Sequence, residues 1–173
     1  DALRPDTVDT IARLHELGIR TAMLTGDNKR TATHIAKRAG IDDVYAGVLP
    51  DQKAERLRDM QHNVRLAMVG DGINDAPALM QADIGIAMGA GTDIAIESAD
   101  IVLISGGLRH VPEAIGLSKA TMTNIRQNLG WAFGYNVVAI TLAVFGLLQP
   151  ILAAGLMAGS SLLVVFNSLR LEQ

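Results

Sequence analysis

Asp71 and Asp75 stand four residues apart in VGDGINDAPALMQADIGIAMG (69–89), directly after an apolar run. Two carboxylates at the end of a buried strand can hold Mg2+ through one or two oxygens, leaving its other positions to water and phosphate. The neighbouring glycines let the backbone bend close to such a ligand. A decorated turn is the plain alternative, because Asp-Gly makes turns unaided. A second stretch, LTGDNKRT (24–31), places Thr25, Gly26 and Asp27 at a strand end and a helix mouth. Backbone N–H groups at a helix start, with a glycine turn and a hydroxyl, suit a phosphate. The same residues also make an ordinary capped turn. Lys53, in the first turn of a helix, lies against a dipole that favours anions there. Taken alone, it reads as a solvated lysine.

Elements that could position these residues are legible in the pattern around them. Val8, Ile11, Leu14 and Leu17 recur at helical spacing, with Gly18 as a cap. RTAMLTG (20–26) reads as a buried strand, and a helix follows from about Lys29 to Ala39, stopped by Gly40. VYAGVLP is a short strand or extended link, and Asp51 is expected to cap DQKAERLRDMQHN, with Leu57 and Met60 inward. RLAMVGDG, DIGIAMG and DIVLI read as strands, with a short helix in NDAPALMQA. Strand, turn and helix in repetition predict an open parallel α/β sheet, whose ligand chemistry collects at the carboxyl ends of the strands.

Composition narrows the function classes. A net charge of −3 with dispersed Lys and Arg gives no basic stripe, so no nucleic-acid partner is expected. The absence of cysteine excludes, within these residues, a disulfide framework, a Cys-based zinc site and a Cys-Pro-Cys metal motif. His15, His34, His62 and His110 are isolated, without a second ligand at a metal spacing. DALRPDTVDT has no basic-then-apolar layout and does not read as a signal peptide.

Charge disappears between Leu129 and Leu169. LGWAFGYNVVAITLAVFGLL (129–148) and PILAAGLMAGSSLLVVFNSL (150–169) each have the length of about 20 residues that crosses a bilayer, and Gln149-Pro150 breaks them. A soluble helical hairpin would need polar faces at helical spacing, which neither segment has. A two-helix transmembrane hairpin in contact with membrane lipid is therefore expected, led in by a helix from near Pro112. Lys119, Arg126 and Arg170 flank it, which places both termini in the cytoplasm by the positive-inside rule. Trp131 and Tyr135 read as interface anchors.

In this order and spacing, TGD, Lys53 and GDGxND resemble the later motifs of the haloacid-dehalogenase-like phosphoryl-transfer fold, as found in P-type ATPases. The resemblance implies that Thr25 and Gly26 contact a phosphoryl group, with Asp27 the Asp of TGD. It implies that Lys53 neutralises the phosphoryl group and that Asn74 lies near it. Asp71 would bind Mg2+ with Asp75 in support, and ATP would be the phosphoryl donor. The family's nucleophile, the Asp of a DKTGT motif, has no counterpart here, nor do its TGE loop and nucleotide-binding domain. The chain therefore resembles the C-terminal quarter of a pump, expected to be inactive alone and partnered by the pump's remaining domains and helices.

NLGWAFGYNVVAI and MAGSSLLVVFNSLRL are similar to the last two helices of heavy-metal pumps, as in a bacterial cell membrane. In copper(I) members, a Tyr-Asn pair and a Met with a Ser four residues on belong to the transport site. Here those residues are Tyr135, Asn136, Met157 and Ser161. A Met thioether suits Cu+, and positions i and i+4 share a helix face. A zinc or cadmium pump would be expected to carry an Asp in the second helix and a cobalt pump a His-Glu pair. Met157 and the small residues Gly155, Gly159 and Ser160 also suit plain helix packing.

The expected organisation is a haloacid-dehalogenase-like phosphorylation domain, in part, over 1–111. A juxtamembrane helix over 112–128 and a hairpin over 129–171 complete it. The alternatives are a membrane-tethered phosphatase of the same fold, with its own upstream nucleophilic Asp, and a non-catalytic regulatory fragment of a pump.

Overall fold

The computed structural model describes residues 3–62, 64–70, 73–89, 97–104, 107–147 and 149–170, with backbone alone at 73, 150 and 152. The chain divides into two compact units, Asp1–Glu113 and Ala114–Gln173.

In the first unit, α1 (Thr7–Glu16) precedes β1 (Ala22–Thr25), α2 (Lys29–Ala39) and β2 (Asp43–Ala46). A 3-10 turn (Pro50–Gln52) leads into α3 (Lys53–Met60). Then come β3 (Ala67–Gly70), a 3-10 turn (Ile73–Asp75), α4 (Ala76–Gln81), β4 (Ile84–Met88) and β5 (Ile101–Leu103). Every strand pairing is parallel, as βαβ connections require. The expected sheet is nevertheless in two pieces. β1 pairs β2 with Ala22 opposite Asp43, while β3, β4 and β5 form a separate sheet in that order. Among the described strands, β1, β2, β3 and β5 each keep one edge without a partner.

The core of this unit is built largely from small side chains. Ala32, Ala36 and Ala39 line the inner face of α2, and Ala76, Ala78 and Leu79 that of α4. α4 lies so close to β4 that a Cβ on Gly85 would stand 2.7 Å from the Leu79 carbonyl oxygen. Backbone cannot yield at that distance, so glycine is required.

Two local expectations are corrected. Val8 is half exposed, and the inward face of α1 instead carries Thr7 and Thr10. The periodic row is displaced because the Ile11, Leu14, Leu17 stripe continues backwards through positions 7 and 10, not 8. Asp51 does not cap α3. It lies inside the 3-10 turn, which Gln52 closes by accepting the Leu49 N–H at 3.4 Å.

The second unit holds α5 (His110–Val144) after its first turn, and α6 (Pro150–Leu169). Among the described residues, no helix is long and apolar enough to cross a membrane. Asn128, Gly130, Gly134 and Asn136 interrupt the apolar run of α5, and Gly155, Gly159, Ser160, Ser161 and Asn167 that of α6. Both helices still expose large apolar side chains, among them Phe133, Val137, Ile140, Ile151 and Phe166.

The start of β1 is held to the start of β2 by Asp42. Its carboxylate accepts the Thr21 N–H at 2.7 Å and the Thr21 hydroxyl at 3.0 Å, and stands 3.0 Å from His15 Nε2. These bonds, the Thr21 backbone one foremost, hold its pKa at about 2 against an ordinary 3.8. A carboxyl depressed in the folded state stabilises above its unfolded pKa, and that contribution is lost as pH falls through the folded value. Asp42→Asn should therefore be less stable than the parent chain at neutral pH. The gap should close between pH 3.8 and about pH 2 in urea titrations. A gap independent of pH would refute this role.

Candidate functional site

The described strands end at loops, and the residues with chemistry lie after β1 and β3 and at the start of α3. At the end of β1, the Asp27 N–H donates to Thr25 Oγ1 at 3.2 Å, so the hydroxyl closes its own turn. The chain after β2 buttresses that turn: Gly47 N–H donates to the Asp27 carbonyl at 2.8 Å and Val48 N–H to the Thr25 carbonyl at 3.0 Å. Asn28 then caps α2 by accepting the Thr31 N–H at 3.0 Å. Gly26 stays exposed at the tip of the turn, and Asp27 is exposed beside it.

Lys53 is not a solvated lysine. Its ammonium lies 2.7 Å from Asp75 Oδ1, with both side chains about 15% exposed. Asp75 occupies the N-cap position of α4, where an acidic side chain ordinarily accepts from its own helix. It makes no such cap bond and turns to Lys53 instead. Gly70, the last residue of β3, makes room: a Cβ there would stand 2.8 Å from Asp75 Cβ and 2.9 Å from Oδ2. Gly70 is thus a site residue, and its place within the GDGxND stretch is the signal for it. Asn74 is exposed on the 3-10 turn before Asp75, while Asp71 lies outside the described residues.

The structure therefore joins Lys53 to Asp75. It ties Thr25 and Asp27 to the loop that runs from β2 towards Lys53. Half-buried charges of opposite sign at 2.7 Å make a pair in which removing one partner strands the other. An ammonium and a carboxylate beside a strand end are the kinds of group that a phosphate with a hard divalent cation requires. Among the described residues, no three acidic or histidine side chains gather as a metal cluster. His15 and His110 are spent on Asp42 and Glu113.

In the second unit, Tyr135 belongs to the stripe of α5 that faces α6, and its hydroxyl is 3.5 Å from the Ala153 carbonyl. Asn136, Met157 and Ser161 are exposed. Met157 and Ser161 share one face of α6, and none of the hydrogen bonds described joins them to Tyr135 or Asn136. Asn124, Asn128 and Asn167 form an inter-helix amide cluster that the motifs did not single out. Its signal is the carboxamides at 124, 127 and 128, which share one helical face.

Comparison with known proteins extends these observations. A haloacid dehalogenase-like hydrolase family model matches residues 1–83. A copper-exporting P-type ATPase of Staphylococcus aureus (strain JH9) is 55% identical over all of this chain, which spans 22% of that relative's length. The same identity and coverage hold for the copper-exporting P-type ATPase of strain Newman. A zinc-transporting PIB-type ATPase, crystallised in its E2.Pi state, superimposes with a TM-score of 0.92 at 43% identity. That match covers 100% of this chain and 28% of the other. The catalytic domain of the CPx-ATPase CopB-B matches 66% of this chain, with a TM-score of 0.60 and 33% identity, over 46% of its own length. Identity of 55% sustained from TGD through both final helices is more than a shared fold accounts for. Throughout its length the chain is similar to one segment of heavy-metal-transporting P-type ATPases, and it spans about a fifth of the length of the copper-exporting relatives.

Proposed function

We propose that this chain is part of an ATP-driven heavy-metal cation pump, Cu+-exporting, that works through an aspartyl-phosphate whose nucleophile lies outside these residues. The observation that carries the reading is the Lys53–Asp75 pair at the carboxyl end of a sheet with an unpartnered edge at β3. β1, which ends in TGD, has an unpartnered edge too. A strand bearing the nucleophilic Asp, paired to both edges, would make one sheet of the two.

In that setting the nucleophilic carboxylate attacks the γ-phosphorus of ATP, ADP leaves, and water later hydrolyses the acyl-phosphate. Positioning and electrostatics supply most of the catalysis in such a transfer. Backbone N–H groups around Thr25 and Gly26 orient phosphoryl oxygens, and Asp27 keeps their turn closed through its bond to Thr25. Lys53 offsets charge that develops on the transferred group, and Asn74 stands at the same rim. Asp75 turns from its helix towards β3, and Gly70 leaves room for it, so Asp71 and Asp75 together would hold Mg2+. When bound, the ion would neutralise phosphate charge.

α5 and α6 lie in the membrane of the intact pump, among its other helices. Their exposed apolar side chains support this, as does the charge-free run from Leu129 to Leu169. The glycines and serines that break the apolar runs suit close helix packing. Asn136, Met157 and Ser161, all exposed on the hairpin, face those helices and belong to the ion path. For the ion, Met157 supplies a soft donor, and α6 carries no carboxylate. The copper-exporting relatives, at 55% against 43% for the zinc-transporting one, favour the same choice.

Asp71→Ala in the intact pump should abolish phosphoenzyme formation from ATP, which a radiolabelled-phosphate assay would register. Undiminished phosphoenzyme at ordinary Mg2+ sinks the assignment. For topology, reporters fused after Gln173 and at Gln149 should fall on opposite sides of the membrane, the former cytoplasmic. Both on one side would remove the hairpin. Met157→Leu conserves volume, so the folded amount should change by less than about 1.5 kcal/mol of stability, while Cu+-stimulated ATPase collapses. Ser160→Ala should be milder than Ser161→Ala. A Met157→Leu pump that responds fully to Cu+ refutes the copper site, and uniform modest effects at all three positions would mark them as packing residues.

A further inference from the structure

The last carbonyls of an α-helix have no partner within the helix, so each takes one from water, a side chain or a neighbouring element. α6 ends at Leu169, so the Asn167 carbonyl is one of these. Asn124 of α5, buried at 7% exposure, donates its side-chain N–H to that carbonyl at 2.6 Å. The contact is a helix cap supplied by a neighbouring helix.

Around it the carboxamides interlock. Asn128 Nδ2 donates to Asn124 Oδ1 at 2.8 Å and to Ser168 Oγ at 3.0 Å. Asn167 Nδ2 donates to Asn128 Oδ1 at 2.9 Å and, at 3.3 Å, to Gln127 Oε1. Each bond is directional, and a slip of either helix along its axis by one residue, about 1.5 Å, would stretch several at once.

We propose that this amide clasp is a positioning device, which sets the axial register of α6 against α5 and thereby the level of Met157 relative to Tyr135 and Asn136. The proposal rests on the reading of those residues as an ion path. Eleven residues separate Asn124 from Tyr135 and ten separate Asn167 from Met157, which is about 16 and about 15 Å of helix axis. In the antiparallel pair, a bond at one end therefore brings the two to the same level. The Tyr135 hydroxyl meets α6 at Ala153, one turn from Met157, within a phenol's reach of that level. None of the clasp residues touches the ion; they act through the helix they hold.

Two measurements test this. The chain has no cysteine, so nitroxides on Val138→Cys and Leu156→Cys, both exposed in the parent, report the α5–α6 distance alone. The parent and Ser168→Thr, which keeps the hydroxyl, should give one narrow distribution. Asn124→Ala and Ser168→Ala should broaden or shift it, with helix content by circular dichroism unchanged. In the intact pump, Asn124→Ala and Ser168→Ala should raise the Cu+ concentration for half-maximal ATPase roughly fivefold, the scale of one lost hydrogen bond. The rate at saturating Cu+ should be preserved, and Ser168→Thr should match the parent. An unchanged distance distribution in both alanine variants overturns the clasp. A changed distribution with unchanged Cu+ dependence overturns its positioning role. A parent pump that no Cu+ concentration activates overturns the ion-path reading and this proposal with it, while the distances still report on the clasp itself.

Discussion

A carboxylate that begins a helix has a partner at hand in its own backbone, and Asp75 declines it. Its oxygen goes to Lys53, 2.7 Å away, and that choice shapes the surrounding architecture. Lys53 must then open α3, although the helix dipole disfavours a cation there. β3 must end in a residue without a side chain, since Gly70 lies under Asp75. α4 starts from a residue that gives it no cap, and it is held instead by burial of Ala76, Ala78 and Leu79 against β4. That burial in turn demands glycine at 85, where the strand meets the Leu79 carbonyl. A local sacrifice of helix capping is thus compensated by packing, a trade expected where a polar group is kept for another use.

Each of the two sheets has its polar chemistry at one end. The turn after β1 is closed by its own hydroxyl and by backbone bonds from the loop after β2, so its geometry does not depend on a ligand to order it. The Lys53–Asp75 pair likewise satisfies itself. Both groups are therefore preorganised, and a phosphate arriving there would meet dipoles and charges already held in place.

Much of this was legible in the residues. Helix α2 runs from Lys29 to Ala39 as its spacing predicts, and the strands fall within the apolar runs except that β2 begins one residue earlier, at Asp43. Lys53 was harder to read, because its partner stands 22 positions later and no local pattern announces the pair. Asp51 misled, since the preceding Pro50 favours a tight 3-10 turn in which Gln52 does the closing. In α1, the polar type of Thr7 and Thr10 hid their burial. The division into two sheets could not be read from periodicity, which shows that strands exist and not which ones pair. On the hairpin, the Tyr135, Asn136, Met157 and Ser161 pattern was visible, but the hairpin alone does not gather them. The asparagines at 124, 128 and 167 carry no motif, and only their helical spacing marks them.

The open edges of β1 and β3 bear on how such a protein is made. Four-residue strands with bare N–H and C=O groups are templates for whatever extended chain comes near, and their shortness limits the hazard. If the strand that fills them lies far upstream, its pairing closes a long loop in the chain and is among the late, slow contacts of folding. Until then, nascent chains on neighbouring ribosomes could exchange this strand for one another's. A chain that keeps such edges open would depend on chaperones during synthesis more than its small, alanine-lined core suggests.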